Sequence, residues 1–132
     1  MVCASLKNLA SVLKCMENIS RDELKRLIDT KGAYTLIDVR QPEELQHGMI
    51  PTATNLPLQD FESAWHLDDA AFQAQYHFPK PKKEDSIIFY CRTGGRSAAA
   101  TEYAKEKGYV HVQNYAGSIY DWAEIDPNVR RY

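Results

Sequence analysis

Residues 86–108 read SIIFYCRTGGRSAAATEYAKEKG, and their parsing decides the fold. The apolar run Ile87-Ile88-Phe89-Tyr90 has the length and the β-branched, aromatic content of a buried strand. It stops at Cys91. Arg92-Thr93-Gly94-Gly95-Arg96 follows, and an Ala-rich helical segment starts near Ser97, runs to Lys107 and ends at Gly108. A strand that delivers a cysteine into a short, cationic, Gly-rich loop at a helix N-terminus is suited to making a thiolate. Arginine and a helix N-terminus both lower a thiol pKa from its free value of about 8.5. Backbone amides curled by Gly-Gly form a concave nest for an anion. The chemistry implied is a nucleophilic sulfur acting on a small anionic substrate.

On either side of this stretch, helices and strands alternate. Ser20 with Glu23 three residues later forms a capping box, and Leu24, Leu27 and Ile28 make the apolar stripe of a helix that Lys31-Gly32 ends. Tyr34 to Val39 reads as a short strand, and Pro42 suits the first position of a short helix. An extended piece is expected around Thr54-Asn55-Leu56, and Phe61 to Tyr76 divides into two short helices near His66–Asp69. Pro79-Lys80-Pro81 breaks the chain before the central strand. A strand from His111 to Tyr115 and a last short helix holding Trp122 complete the order. Strands separated by helices predict an α/β fold with a parallel sheet, in which ligands bind at the carboxyl ends of the strands. Cys91 sits at such an end.

The global numbers agree with a compact domain. A chain of 132 residues can bury a respectable core, and a net charge of −2 gives no basic excess for nucleic acid or a membrane surface. No apolar run approaches the roughly 18–20 residues of a membrane span. The three cysteines, at 3, 15 and 91, show neither metal-ligand spacing nor a disulfide framework, which points to a reducing compartment. Residues 1–17 are read apart from the domain, which is assigned to 18–132. In that arm Leu6, Leu9, Ala10 and Leu13 follow helical spacing, with Lys7 and Lys14 and no acid before Met16. A surface helix or arm is the expectation, and a weak targeting segment the alternative, since transit peptides are amphipathic and basic but Arg-rich.

Asp38-Val39-Arg40 with Pro42-Glu43-Glu44, then Gly48-Met49-Ile50-Pro51 and Asn55-Leu56-Pro57, resembles the leading motif of the rhodanese-type sulfurtransferases. The Cys91–Arg96 loop is similar to the active-site loop of that family, and Asn114-Tyr115-Ala116-Gly117 with Trp122 to its closing segment. The insert Phe72–Tyr76, ending in Lys80-Pro81, resembles the short single-domain thiosulfate sulfurtransferases that pass sulfur to thiols such as glutathione. Met49 stands where the family often has His, and Thr52 where Gly is common. The resemblance implies a single rhodanese-like domain, with a five-stranded parallel sheet flanked by helices on both faces. It also implies a catalytic Cys91 that cycles through a persulfide, with no cofactor and no metal.

Loop length separates the chemistries this fold carries. Four residues lie between Cys91 and Arg96, whereas related phosphatases have one more and usually a His before the cysteine. A phosphate needs three oxygens clasped by amides; a sulfane sulfur needs a tighter cradle. The sulfurtransferase reading leads, with a phosphatase or arsenate reductase and a non-catalytic binding module as alternatives. In the leading reading Cys91 attacks the outer sulfur of a donor such as thiosulfate. The loop from Arg92 through Thr93, Gly94, Gly95 and Arg96 to Ser97 binds the substrate and stabilises the persulfide charge. Arg96 is expected to hold the sulfonate, and the direction of Arg92 is unreadable from sequence. Asp38 and Arg40 are expected to support the site, Asp38 by bonding loop amides and Arg40 by pairing with a carboxylate. The histidines lack any partner arrangement for a general base. Expected partners are a small-molecule sulfur donor and a thiol or cyanide acceptor, with no nucleic acid, no membrane and a monomeric chain. The cytoplasm is the expected compartment and the mitochondrion the alternative.

Overall fold

Residues 18–132 are described in the computed structural model of the chain. The arm expected at 1–17, with Cys3 and Cys15, lies outside them. The first helix, α1 (Arg21–Asp29), opens on the capping box read from the sequence, with Ser20 Oγ accepting from Glu23 N–H and the Glu23 carboxylate accepting from Ser20 N–H. It buries Leu24. Lys31-Gly32 follows its end, with Lys31 in the left-handed backbone at φ 54°.

Four parallel strands follow: β1 (Thr35–Asp38), β2 (Thr54–Asn55), β3 (Ser86–Tyr90) and β4 (His111–Asn114), in the spatial order β2-β1-β3-β4. The expected fifth strand is not among the described residues. Its place beside β4 holds only a single bridge between Asn18 and Asn114, because Ser20 already turns the chain into α1. A 3-10 helix spans Pro42–His47, with Pro42 at its start, and a shorter one Leu58–Asp60. Helices α2 (Phe61–His66) and α3 (Asp69–Tyr76) divide where the sequence places the break. Then come α4 (Gly95–Glu106) and α5 (Ser118–Trp122).

Side chains alternate across a strand, and here the alternation sorts the core into two layers. Ile37, Val39, Ile87, Phe89 and Cys91 face one side, packed under Phe61 and Ala64 of α2, Phe72 of α3 and Ala100 and Ala104 of α4. Leu36, Ile88 and Tyr90 face the other, under Leu24 of α1 and Ile119 and Trp122 of α5. The sheet is therefore covered by helices on both faces, as expected. The buried stripe of α4, Ser97, Ala100, Thr101 and Ala104, is made of small side chains at helical spacing, so this helix lies close on the sheet. Thr52, where the resemblance leads one to look for Gly, sits at φ 75°, a costly conformation for a β-branched residue. Its hydroxyl is held at 2.8 Å by that of Tyr34.

The register aligns the carboxyl ends of all four strands. Asp38 pairs with Asn55 and with Tyr90, and Phe89 with Asn114. The segments leaving β1, β3 and β4 consequently meet at one edge of the sheet, and the candidate site is built there.

Candidate active site

Cys91 is the first residue after β3 and is 1% exposed. Period-2 alternation along Phe89-Tyr90-Cys91 turns its side chain toward α4, while Tyr90 points to the opposite layer. The loop then turns back over the sulfur. Gly94 adopts φ 104°, and a Cβ there would run into the carbonyl oxygen of Ala116, so only glycine fits between the loop and the segment after β4. That turn brings Gly94 N–H to 3.1 Å from Cys91 Sγ. It also starts α4 at Gly95, two residues before the expected Ser97. Gly95 has open space where a side chain would be.

The sulfur is thus nested by polar groups. Ser97 Oγ lies 3.4 Å from Sγ and donates to the Gly94 carbonyl at 3.2 Å. Burial pushes the Cys91 thiol up, but hydrogen bonds from the Ser97 hydroxyl and from the amides of Ser97, Gly94 and Thr93 outweigh it. The net position is below the ordinary thiol value. The cysteine backbone is fixed from the other side: its N–H donates to Ser118 Oγ at 3.1 Å, and its carbonyl accepts from Ile119 N–H at 3.1 Å. Ser118 holds φ 52° and donates onward to the Tyr115 carbonyl at 2.8 Å. Sequence reasoning did not find Ser118; the only local signal is its position straight after Ala116-Gly117.

The two loop arginines are placed differently. Arg96 makes a two-pronged ion pair with Glu44, Nη1 to Oε2 at 2.6 Å and Nη2 to Oε1 at 2.9 Å. Glu44 also accepts from Gln41 N–H at 2.9 Å and from the Tyr132 hydroxyl at 2.8 Å, which fills about the four acceptor sites of a carboxylate. The Arg96 pairing holds its carboxyl down to about 2, against burial and with help from Gln41 and Tyr132. Arg92 has no carboxylate partner among the described residues. Its guanidinium lies over the rings of Tyr132 (4.5 Å) and Tyr120 (5.4 Å), Nη2 reaches the Tyr120 hydroxyl at 3.3 Å, and its buried Nε has no partner there.

Asp38 and Arg40, both 0% exposed, pair with each other. The Arg40 amide and Nε bond Asp38 Oδ1 at 3.0 Å, and Nη2 bonds Oδ2 at 2.7 Å. The remaining Arg40 donors reach the carbonyls of Gly48 (2.8 Å) and Glu44 (3.3 Å) and the Tyr132 hydroxyl (3.1 Å). The carboxylate expected for Arg40 is thus Asp38 itself. The amide Asp38 bonds is that of Arg40 in the β1 loop, and the pair shapes the 41–48 segment that carries Glu44. His47 stacks on Tyr132 at 4.0 Å. Trp65 and Trp122 lie in the two core layers.

Such a pocket can ionise a thiol and hold added negative charge on it with amides. The rhodanese-like domain model matches residues 20–125. A human thiosulfate:glutathione sulfurtransferase is 43% identical over 107 residues, covering 80% of this chain and 92% of that protein. A mitochondrial thiosulfate sulfurtransferase of Saccharomyces cerevisiae, RDL2, is 32% identical over 102 residues, covering 76% and 68%. The solved structure of a human single-domain sulfurtransferase, TSTD1, superposes with a TM-score of 0.78 at 41% identity, covering 83% of this chain and 96% of that one.

Proposed function

The chain belongs to the rhodanese-like domain family and is a sulfurtransferase of that type; we propose that it moves a sulfane sulfur from thiosulfate, or another persulfide donor, through a persulfide on Cys91 to a thiol such as glutathione or to cyanide. The observation that carries this reading is the nest around Cys91 Sγ, in which Gly94 N–H at 3.1 Å and the Ser97 hydroxyl at 3.4 Å favour the anionic sulfur.

In the first half-reaction the Cys91 thiolate attacks the outer sulfur of thiosulfate. A new S–S bond forms to Cys91, the S–S bond of thiosulfate breaks, and sulfite leaves with the bonding pair. The terminal sulfur of the persulfide carries the negative charge and rests against the loop amides from Arg92 to Ser97, much as an oxyanion rests in its hole. In the second half-reaction an acceptor thiolate or cyanide attacks that terminal sulfur, forming the acceptor persulfide or thiocyanate and returning Cys91 as thiolate. A sulfur already ionised needs no general base. Arg92 and Arg96 border the place of the sulfonate. Arg96, whose charge interacts with Cys91, is the stronger anion contact through the N–H groups that Glu44 leaves free, and Arg92, without a carboxylate partner among the described residues, is the second.

Intact-mass analysis after thiosulfate treatment tests the covalent step. An added mass of about 32 Da, one sulfur atom, is expected on the wild type and absent from Cys91→Ser, because an alcohol forms no persulfide. No adduct, together with rapid hydrolysis of p-nitrophenyl phosphate, would replace this reading with the phosphatase. Among the described residues no helix is long and apolar enough to cross a membrane. We propose the cytoplasm or the mitochondrion as its compartment, the latter in keeping with the mitochondrial relative RDL2.

A further inference from the structure

Residues 129–132 lie beyond the segment matched by the family model, yet they reach Arg92 of the Cys91 loop and Glu44, the partner of Arg96. Each is anchored. Val129 is buried, Arg130 N–H donates to the His47 carbonyl at 2.9 Å and its guanidinium to that of Gln46 at 3.1 Å, and Arg131 Nε donates to the Tyr120 carbonyl at 2.9 Å. This strap delivers Tyr132 between the two loop arginines. One face of its ring is stacked on His47 at 4.0 Å with an interplanar angle of 15°, and the Arg92 guanidinium lies 4.5 Å from its centroid. Its hydroxyl donates to Glu44 Oε1 at 2.8 Å, the oxygen that also accepts from Arg96 Nη2 at 2.9 Å.

We propose that Tyr132 is a positioning residue for anion recognition at Cys91, setting the direction of both loop arginines at once. A guanidinium meets an aromatic ring with its face and an oxyanion with its edge, so the two contacts are compatible. Held on Tyr132, Arg92 loses its rotamer freedom before an anion arrives. Arg96 is governed through Glu44. The Tyr132 hydroxyl occupies an acceptor site on that carboxylate and keeps it turned to the Arg96 fork, away from an incoming sulfonate. The inference rests on the sulfur-transfer reading and identifies what gives that reaction its preference for an anionic donor.

The test is steady-state kinetics on Tyr132→Ala, Tyr132→Leu and Tyr132→Phe, with sulfite protection of Cys91 against iodoacetamide as a second readout. Tyr132→Ala should raise the KM for thiosulfate about tenfold, with kcat at saturation within about twofold, the signature of lost binding rather than lost chemistry. Tyr132→Leu fills the same space without a π face and should repeat the loss. Tyr132→Phe keeps the ring under Arg92 and should lose less than about threefold. Sulfite protection should weaken in the same order. An unchanged KM in the Ala and Leu variants overturns the proposal, as does a fall in kcat and melting temperature with sulfite protection intact, since that marks a purely structural strap. If the wild type forms no persulfide, the sulfur-transfer reading fails, and sulfite protection still decides the role of Tyr132 by itself.

Discussion

The hydroxyl of Ser97 stands 3.4 Å from Cys91 Sγ and 3.2 Å from the Gly94 carbonyl, and it has one proton to give. When Cys91 is a thiol, Ser97 Oγ can accept its S–H while the Ser97 hydroxyl donates to the carbonyl. When Cys91 is a thiolate, the Ser97 proton turns to the sulfur. A rotation of one hydroxyl thus adapts the nest to either state of the nucleophile.

Ser97→Ala should therefore move the pH profile of Cys91 alkylation to higher pH, because burial then acts against fewer hydrogen bonds to the thiolate. The wild-type profile should have its midpoint below that of an ordinary thiol. An identical midpoint in the variant would mean that the backbone amides hold the sulfur without the hydroxyl.

Gly94 and Gly95 should part company on substitution. Gly94→Ala forces a side chain into φ 104° and against the Ala116 carbonyl, so it should cost about 1–3 kcal/mol of strain and take sulfur transfer with it. Gly95→Ala meets nothing and lies at the start of α4, where it should leave the melting temperature equal or raise it. Equal thermal shifts for the two variants would contradict this placement.

The Glu44–Arg96 pair should show itself as a pH-dependent difference between wild type and Glu44→Gln. The folded carboxyl is lowered from 4.5 to about 2, so its contribution is full above 4.5 and is lost as pH falls through 2. Arg96 is 35% exposed, which keeps the contribution near 1 kcal/mol. Melting temperatures of the two proteins should differ by a constant amount near neutrality and converge in acid. A gap that widens on acidification would mean that the pair is not formed.

Asp38→Ala leaves the buried Arg40 guanidinium without its counter-charge and should cost about 3–5 kcal/mol in urea unfolding. A loss under about 1 kcal/mol would show Arg40 satisfied by its other partners.

What could be read from the sequence was local. The Ser20–Glu23 capping box, the break between α2 and α3, and the strand-to-cysteine turn at Cys91 depend on neighbours within a few residues, where propensity and capping chemistry act. Helix α4 begins at Gly95 rather than Ser97 because Gly94 is the N-cap, a choice forced by Ala116 across the sheet. The parts of the site that escaped are long-range pairings between loops. Ser118 meets Cys91 across 27 residues, Glu44 meets Arg96 across 52, and Tyr132 meets Glu44 across 88. No periodicity announces such contacts. Glu44 stood in the quoted motif without a role, since nothing in one sequence says which arginine a surface carboxylate will find.

The aligned strand ends have a kinetic consequence. Thr35 must find Ile87, and Ser86 must find His111, before the edge that carries Cys91 exists. Pairings of such sequence separation form late, after the entropy of closing long loops has been met. Until β4 docks on β3, Ala116 is not there to set Gly94 over the sulfur, and Cys91 is an ordinary thiol on a collapsing chain. Its acidity then appears together with its shielding. A refolding population caught before that step carries the nucleophile without its cradle, open to disulfide exchange and oxidation that the finished fold limits.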